Sequence, residues 1–146
     1  MDHGKWDKRY LDLAQLVSTW SKDPSTKVGA VIVGPNNRVV SLGFNGFPSY
    51  VPDDPVLLHN RERKYQHIIH AEMNAILSAG NNLHVGSTIY TYPFSPCTNC
   101  ASAIIQAGIM RVVSYKTSEP RWQESLERAK EFFKLADVEV FEYCSF

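Results

Sequence analysis

The sequence predicts an α/β fold, a three-layer α/β/α sandwich built on one mixed sheet of about five strands. Three observations lead there. The first two apolar strand runs, Val28–Val33 and Arg38–Phe44, are joined by a tight turn and read as a hairpin. After them, helical and strand patterns alternate to the end of the chain in the order α-β-α-β-α-β, which calls for one sheet covered by helices. Nothing in the 146 residues reads as a linker, repeat or low-complexity segment, so one domain over 1–146 is expected.

The elements follow in order. Trp6, Tyr10, Leu13, Ala14, Leu16, Val17 and Trp20 recur at helical spacing, with Asp2 or Asp7 near the positive end of that helix. Ser21 to Lys27 breaks it at Pro24. The hairpin turns at Gly34-Pro35-Asn36-Asn37 and leaves through Gly43-Phe44-Asn45-Gly46-Phe47-Pro48, where the glycines predict unusual dihedrals or close approach of backbone to a ligand. Ser49 to Gln66 reads as a long loop with at most one short helix. His70 to Ala79 reads as a helix stopped by Gly80, and Ser87 to Tyr92 as a strand. Ser95-Pro96 opens a helix from Cys97 to Ala107, ended by Gly108. Met110–Tyr115 (strand), Glu119–Ala136 (helix) and Val138–Tyr143 (strand) complete the chain. Trp6, Trp20, Phe132 and Phe133 read as core or subunit contacts.

Composition narrows the function. Fifteen basic and fifteen acidic side chains cancel, so no whole-protein field gathers polyanions, and a nucleic-acid partner is not expected. No apolar run approaches the roughly 20 residues of a membrane span, and none is expected to engage a membrane. Three cysteines, two of them spaced C-x-x-C, suit metal-held thiolates in a reducing compartment better than a disulfide framework. A cytoplasmic protein is expected, in the host cell if the source is viral.

The chemistry gathers between His70 and Cys100. His70-Ala71-Glu72 is followed, one strand later, by Pro96-Cys97-Thr98-Asn99-Cys100. One imidazole and two thiolates make three zinc-type ligands, leaving the fourth tetrahedral position for water. Cys97 and Cys100 share a helix face at i, i+3, and a helix N-terminus favours thiolate. Glu72 supplies the acid/base that such a water needs. The competing reading is a closed structural zinc site completed by His67, Cys144, His59 or His84, which leaves Glu72 without a task.

H-x-E…P-C-x-x-C is a known signature of zinc nucleobase deaminases. With Val28-Gly29-Ala30-Val31-Ile32-Val33, His70-Ala71-Glu72-Met73-Asn74-Ala75-Ile76, the Gly43–Pro48 segment and Ile104-Ile105-Gln106-Ala107-Gly108-Ile109, the chain resembles the cytidine deaminase-like superfamily. Within it, the chain is most similar to the deoxycytidylate deaminase family. The resemblance implies zinc-dependent hydrolysis of dCMP to dUMP, feeding dTTP synthesis, by a homohexamer activated by dCTP and inhibited by dTTP with Mg2+. It implies zinc on His70, Cys97 and Cys100, Glu72 as proton shuttle, Ala71 beside the substrate, and Asn45 near the sugar. It also implies an allosteric nucleotide site at Asn45, Gly46 and Phe47, with Asn45 serving one site or bridging both. The additional cysteine–histidine zinc site of some relatives has no N-terminal cysteine here.

For phosphate, the candidate contacts are Lys27 with Ser21 and Ser25 before the first strand, and the Arg61, Arg63, Lys64 cluster for a triphosphate effector. Tyr115, at the end of its strand, is a candidate cover for the base. Asn74 can tie the His70 helix to the pocket. Trp122 takes no place in this scheme. The alternatives are dCTP as a further substrate, a tRNA adenosine or other nucleobase or nucleoside deaminase, and a catalytically silent nucleotide-sensing module.

Overall fold

A computed structural model describes residues 3–146. The sheet runs in the order β2-β1-β3-β4-β5, from Val39–Phe44 (β2), Gly29–Val33 (β1), Thr88–Tyr92 (β3), Arg111–Tyr115 (β4) and Glu139–Tyr143 (β5). β1 is antiparallel to both β2 and β3, whereas β3, β4 and β5 run parallel. The helices are α1 (His3–Ser18), α2 (Pro55–His59), α3 (Arg61–His67), α4 (Ala71–Ala79), α5 (Thr98–Gln106) and α6 (Pro120–Leu135).

Two cores flank the sheet, which makes the three layers. α1 buries Tyr10, Leu11 and Ala14 against Val31, Val33, Tyr90 and Val113. The other face carries α4, α5 and α6 over Ala30, Ile32, Ile89 and Val112, sealed by Ile104, Ala129 and Phe133. Period-two alternation along each strand assigns residues to one core or the other. β1 is buried at all five positions, as a strand covered on both faces must be.

Several expectations change. Asp2 lies outside the described residues. Asp7 caps nothing: it is fully buried and accepts from Arg111, Tyr90 and Tyr143. The segment read as a loop with at most one short helix holds two, α2 and α3, each with an asparagine or aspartate side chain accepting from the first turn (Asp54 from Val56 N, Asn60 from Arg63 N). Trp20 and Phe132 are about half exposed, while Phe133 is buried. Gly43 approaches a helix rather than a ligand, since a Cβ there would lie 2.3 Å from the Ala71 carbonyl and 2.5 Å from the Ala75 nitrogen.

That contact positions the site. Without a side chain at Gly43, α4 settles directly on β2, and two hydrogen bonds fix its rotation. Ser41 Oγ donates to the Ala75 carbonyl at 2.7 Å, and Asn74 Nδ2 donates to the Phe44 carbonyl at 2.7 Å. The N-terminus of α4 is thereby held over the sheet beside the start of α5.

Candidate active site

His70 and Cys97 are N-cap residues, each one position before the helix that the sequence predicted it to begin. Both have extended backbone, so their side chains turn back toward the space between the two helix N-termini. Cys97 Sγ and Cys100 Sγ each lie 3.4 Å from His70 Nδ1. A tetrahedral zinc ion, with bonds of about 2.0–2.1 Å to nitrogen and about 2.3 Å to sulfur, has an N···S edge of roughly 3.5 Å. The donors therefore fit zinc in kind and in spacing. Among the described residues no fourth histidine, cysteine or acid joins them. His67 lines a different cavity, and Cys144 is exposed near the C-terminus.

Electrostatics follow from crowding these groups together. A hydrogen bond from Cys100, with help from His70, lowers the Cys97 thiol to about 4. Cys100 is pushed well above the thiol range because it donates to Cys97 and is buried near Glu72. His70 is raised by its hydrogen bond with Cys97. With a divalent cation bound, Cys97 and Cys100 would both hold it as thiolates. Glu72, buried in the first turn of α4, is raised by loss of water, only partly offset by the Cys100 thiol and His70, and among the described residues no lysine or arginine pairs with it.

One cavity takes in His70, Glu72 and Cys97 and extends to Asn45, Ser25 and Lys64. The Asn45 amide holds the wall together: Oδ1 accepts from Val28 N at 2.9 Å, and Nδ2 donates to the Thr26 carbonyl at 2.9 Å. Ala71 lines the same cavity. Ser21 is turned away from it, its hydroxyl donating to the Asn45 carbonyl at 2.8 Å. Lys27 points its ammonium back at the Ser21 carbonyl.

Tyr115 is on the wrong side of the sheet for the role expected of it. It shares parity with Val113 on β4, so it faces the α1 layer, where its ring meets Tyr92 and Phe146 edge-on. Lys64 separates from Arg61 and Arg63. On α3 it turns into the metal-side cavity, while Arg63 and His67, one turn apart on another face, line a second cavity with Phe47 and Pro48. Arg61 lines neither, and Gly46 serves through its backbone, bridged to Ile69.

The sequence reading missed the third wall. Phe94 and Trp122 face each other with centroids 5.4 Å apart, and Ser95 and Ser125 stand beside them. The signal was available: loops leaving the C-terminal ends of adjacent parallel strands converge, and Trp122 follows β4 as Phe94 follows β3.

A buried carboxylate beside three zinc-type donors, lining one cavity, is the arrangement met in enzymes that use a metal to activate water. Residues 4–116 match the family model described as the cytidine and deoxycytidylate deaminase zinc-binding region. The chain is 48% identical over 139 residues to a protein of Aliivibrio fischeri described as an uncharacterized deaminase in the luxG 3'region, covering 93% of this chain and 92% of that one. It is 37% identical over 142 residues to the mouse deoxycytidylate deaminase, covering 94% and 79%. The apo crystal structure of the dCMP deaminase from cyanophage S-TIM5 superposes with a TM-score of 0.74 at 25% identity, covering 98% and 100%. The chain belongs to the cytidine and deoxycytidylate deaminase family, and it is a deaminase.

Proposed function

We propose that the protein hydrolyses dCMP to dUMP and ammonia. The observation that carries this is Glu72, a carboxylate paired with no lysine or arginine among the described residues, buried beside a three-donor zinc set in a cavity that also holds Ser25, Asn45 and Lys64. His70, Cys97 and Cys100 would hold the zinc. Once bound, zinc supplies Lewis acidity that brings the ionisation of water to roughly neutral pH. Glu72 would accept one proton of the attacking water and pass it to the ring nitrogen, then take the remaining hydroxyl proton and give it to the amine, which leaves as ammonia as the carbonyl forms. Its raised affinity for protons suits a group that must hold one between steps. Phe94 and Trp122 make an apolar wall for the base, and Ala71 and Asn45 bound the sugar. Ser25 and Lys64 face the 5′ side, while Ser21 and Lys27 act indirectly, by bracing the loop.

The same reading includes regulation by dCTP and dTTP with Mg2+ in the second cavity, at Phe47, Arg63 and their neighbours. It includes a homohexamer that covers exposed Leu16, Trp20 and Phe44. Free thiols suit the cytoplasm. Side-by-side assay of deoxycytidine, dCMP, dCTP and a tRNA hairpin tests the substrate, with dCMP expected to be fastest. Faster turnover of the hairpin overturns the reading. Unchanged dCMP turnover and no binding with dCTP or dTTP removes the regulatory half.

A further inference from the structure

Lys64, the one lysine or arginine among the residues lining the cavity, is already occupied. Lys64 Nζ donates to Asp23 Oδ1 at 3.0 Å and to Ser25 Oγ at 3.2 Å, with the Lys64 and Asp23 side chains only 2% and 5% exposed. The Asp23 carboxylate is itself fixed. Oδ1 also accepts from Ser25 N at 2.8 Å and Thr26 N at 3.3 Å, and Oδ2 accepts from Asn45 Nδ2 at 3.4 Å. Asp23, Ser25, Thr26, Asn45 and Lys64 all line the cavity.

The turn itself does not demand a charge. An asparagine side chain accepts the same backbone N–H bonds. A buried ion pair is also weak evidence for stability, because desolvation offsets most of the attraction. The carboxylate's charge therefore needs a reason outside the local fold, and the cavity it faces offers one.

We infer that Asp23 is a specificity-determining residue: an internal counter-ion that neutralises Lys64 and limits the negative charge a ligand can bring to this end of the cavity. The inference rests on reading the cavity as a nucleotide site. With Asp23 ionised the wall is neutral, and each added phosphate charge meets attraction and repulsion from groups 3.0 Å apart. With Asp23 neutral, every added charge gains against a lone desolvated ammonium. The pair thus withholds from a triphosphate the advantage over a monophosphate of the same nucleoside that a lone ammonium would give it. Two other cations stand nearby and change little. Arg121, whose Nη2 donates to Thr26 Oγ1 at 3.5 Å, is exposed at the rim, and the Lys27 ammonium is bound to the Ser21 carbonyl.

The test is a charge cycle: wild type, Asp23→Asn, Lys64→Gln and the double variant. Each is assayed for kcat/KM on deoxycytidine, dCMP and dCTP, and for equilibrium binding of dCMP and dCTP, with zinc content and Tm recorded. Asp23→Asn should raise the dCTP/dCMP ratio on the order of tenfold, the scale of one added charge acting through a screened pocket. Lys64→Gln should lower it comparably, and the double variant, neutral again, should return close to the wild-type ratio. An unchanged ratio in Asp23→Asn, or a double variant that keeps the Lys64→Gln ratio, overturns the inference and leaves Lys64 a plain phosphate ligand. If Asp23→Asn does not fold, Lys64→Gln against the double variant decides alone. If wild type turns over none of the three, the dCMP reading fails by itself, and the binding ratios still decide the role of Asp23.

Discussion

Of the three carboxylates buried among the described residues, Asp7 and Glu72 are pushed in opposite directions by their surroundings. Asp7, in the α1 layer, has both oxygens filled. Arg111 donates to each at 2.8 and 2.7 Å, Tyr90 donates to Oδ1 at 2.8 Å, and Tyr143 to Oδ2 at 2.6 Å. Burial alone would raise its pKa, yet the hydrogen bonds from Arg111, Tyr143 and Tyr90 outweigh that and hold it below the usual carboxylate range. The cost falls on the tyrosines: burial and the bond to Asp7 push Tyr143 up to about 12 and Tyr90 higher still. Glu72, on the other face, is also buried, but the hydrogen bond from the Cys100 thiol and the nearby His70 do not offset its lost water, and it opens on a cavity. A saturated buried charge is a clamp, and an unsaturated one beside a cavity is a reagent.

The largest way to break this contrast is on the reagent side. Glu72→Gln should lower ammonia release by roughly 10³-fold or more, near the upper range for a lost acid/base, with zinc content and Tm retained. Substantial turnover in a zinc-loaded Glu72→Gln protein removes the proton shuttle. On the clamp side, Asp7→Ala should strip the largely buried Arg111 of its close carboxylate, leaving only exposed Glu139 at 3.8 Å, and destabilise the fold by about 3 kcal/mol, read by denaturant midpoint, while kcat per folded molecule stays near wild type. Loss of kcat with little loss of stability would reverse the roles.

A smaller effect sharpens the comparison through pH. Because the folded pKa of Asp7 lies below its unfolded value, its contribution is fully present above the unfolded carboxylate pKa of about 4. It is lost as pH falls through the folded value. Wild-type Tm should drop on acidification below about pH 4, and Asp7→Asn should show a shallower drop. Equal slopes for the two proteins would mean that other groups carry the acid lability.

How much of this was legible in the sequence divides along one line. Signals that stay within one or two elements survived. The H-x-E and C-x-x-C spacings point to three donor side chains that the fold brings together, because an N-cap side chain and an i, i+3 pair are local geometry, and the β-strand runs give the sheet. Signals that depend on which face a residue takes across the fold did not. Tyr115 was placed by its position along β4 and not by its parity with Val113, which sends it to the α1 layer. Lys64 was grouped with Arg61 and Arg63 by adjacency in sequence, although neighbouring helix positions point about 100° apart. The Asp7 clamp joins residues more than a hundred positions apart, and nothing in the sequence pairs them.

The central claim is that three protein atoms hold zinc and leave its fourth position to solvent, within reach of Glu72. Zinc-edge X-ray absorption on the zinc-loaded protein tests it most directly. The account predicts two sulfur scatterers, one imidazole and one light atom that exchanges when a substrate-like ligand is added. A third sulfur or a second imidazole in the sphere would contradict it, since a closed site has no place for the water that Glu72 must deprotonate.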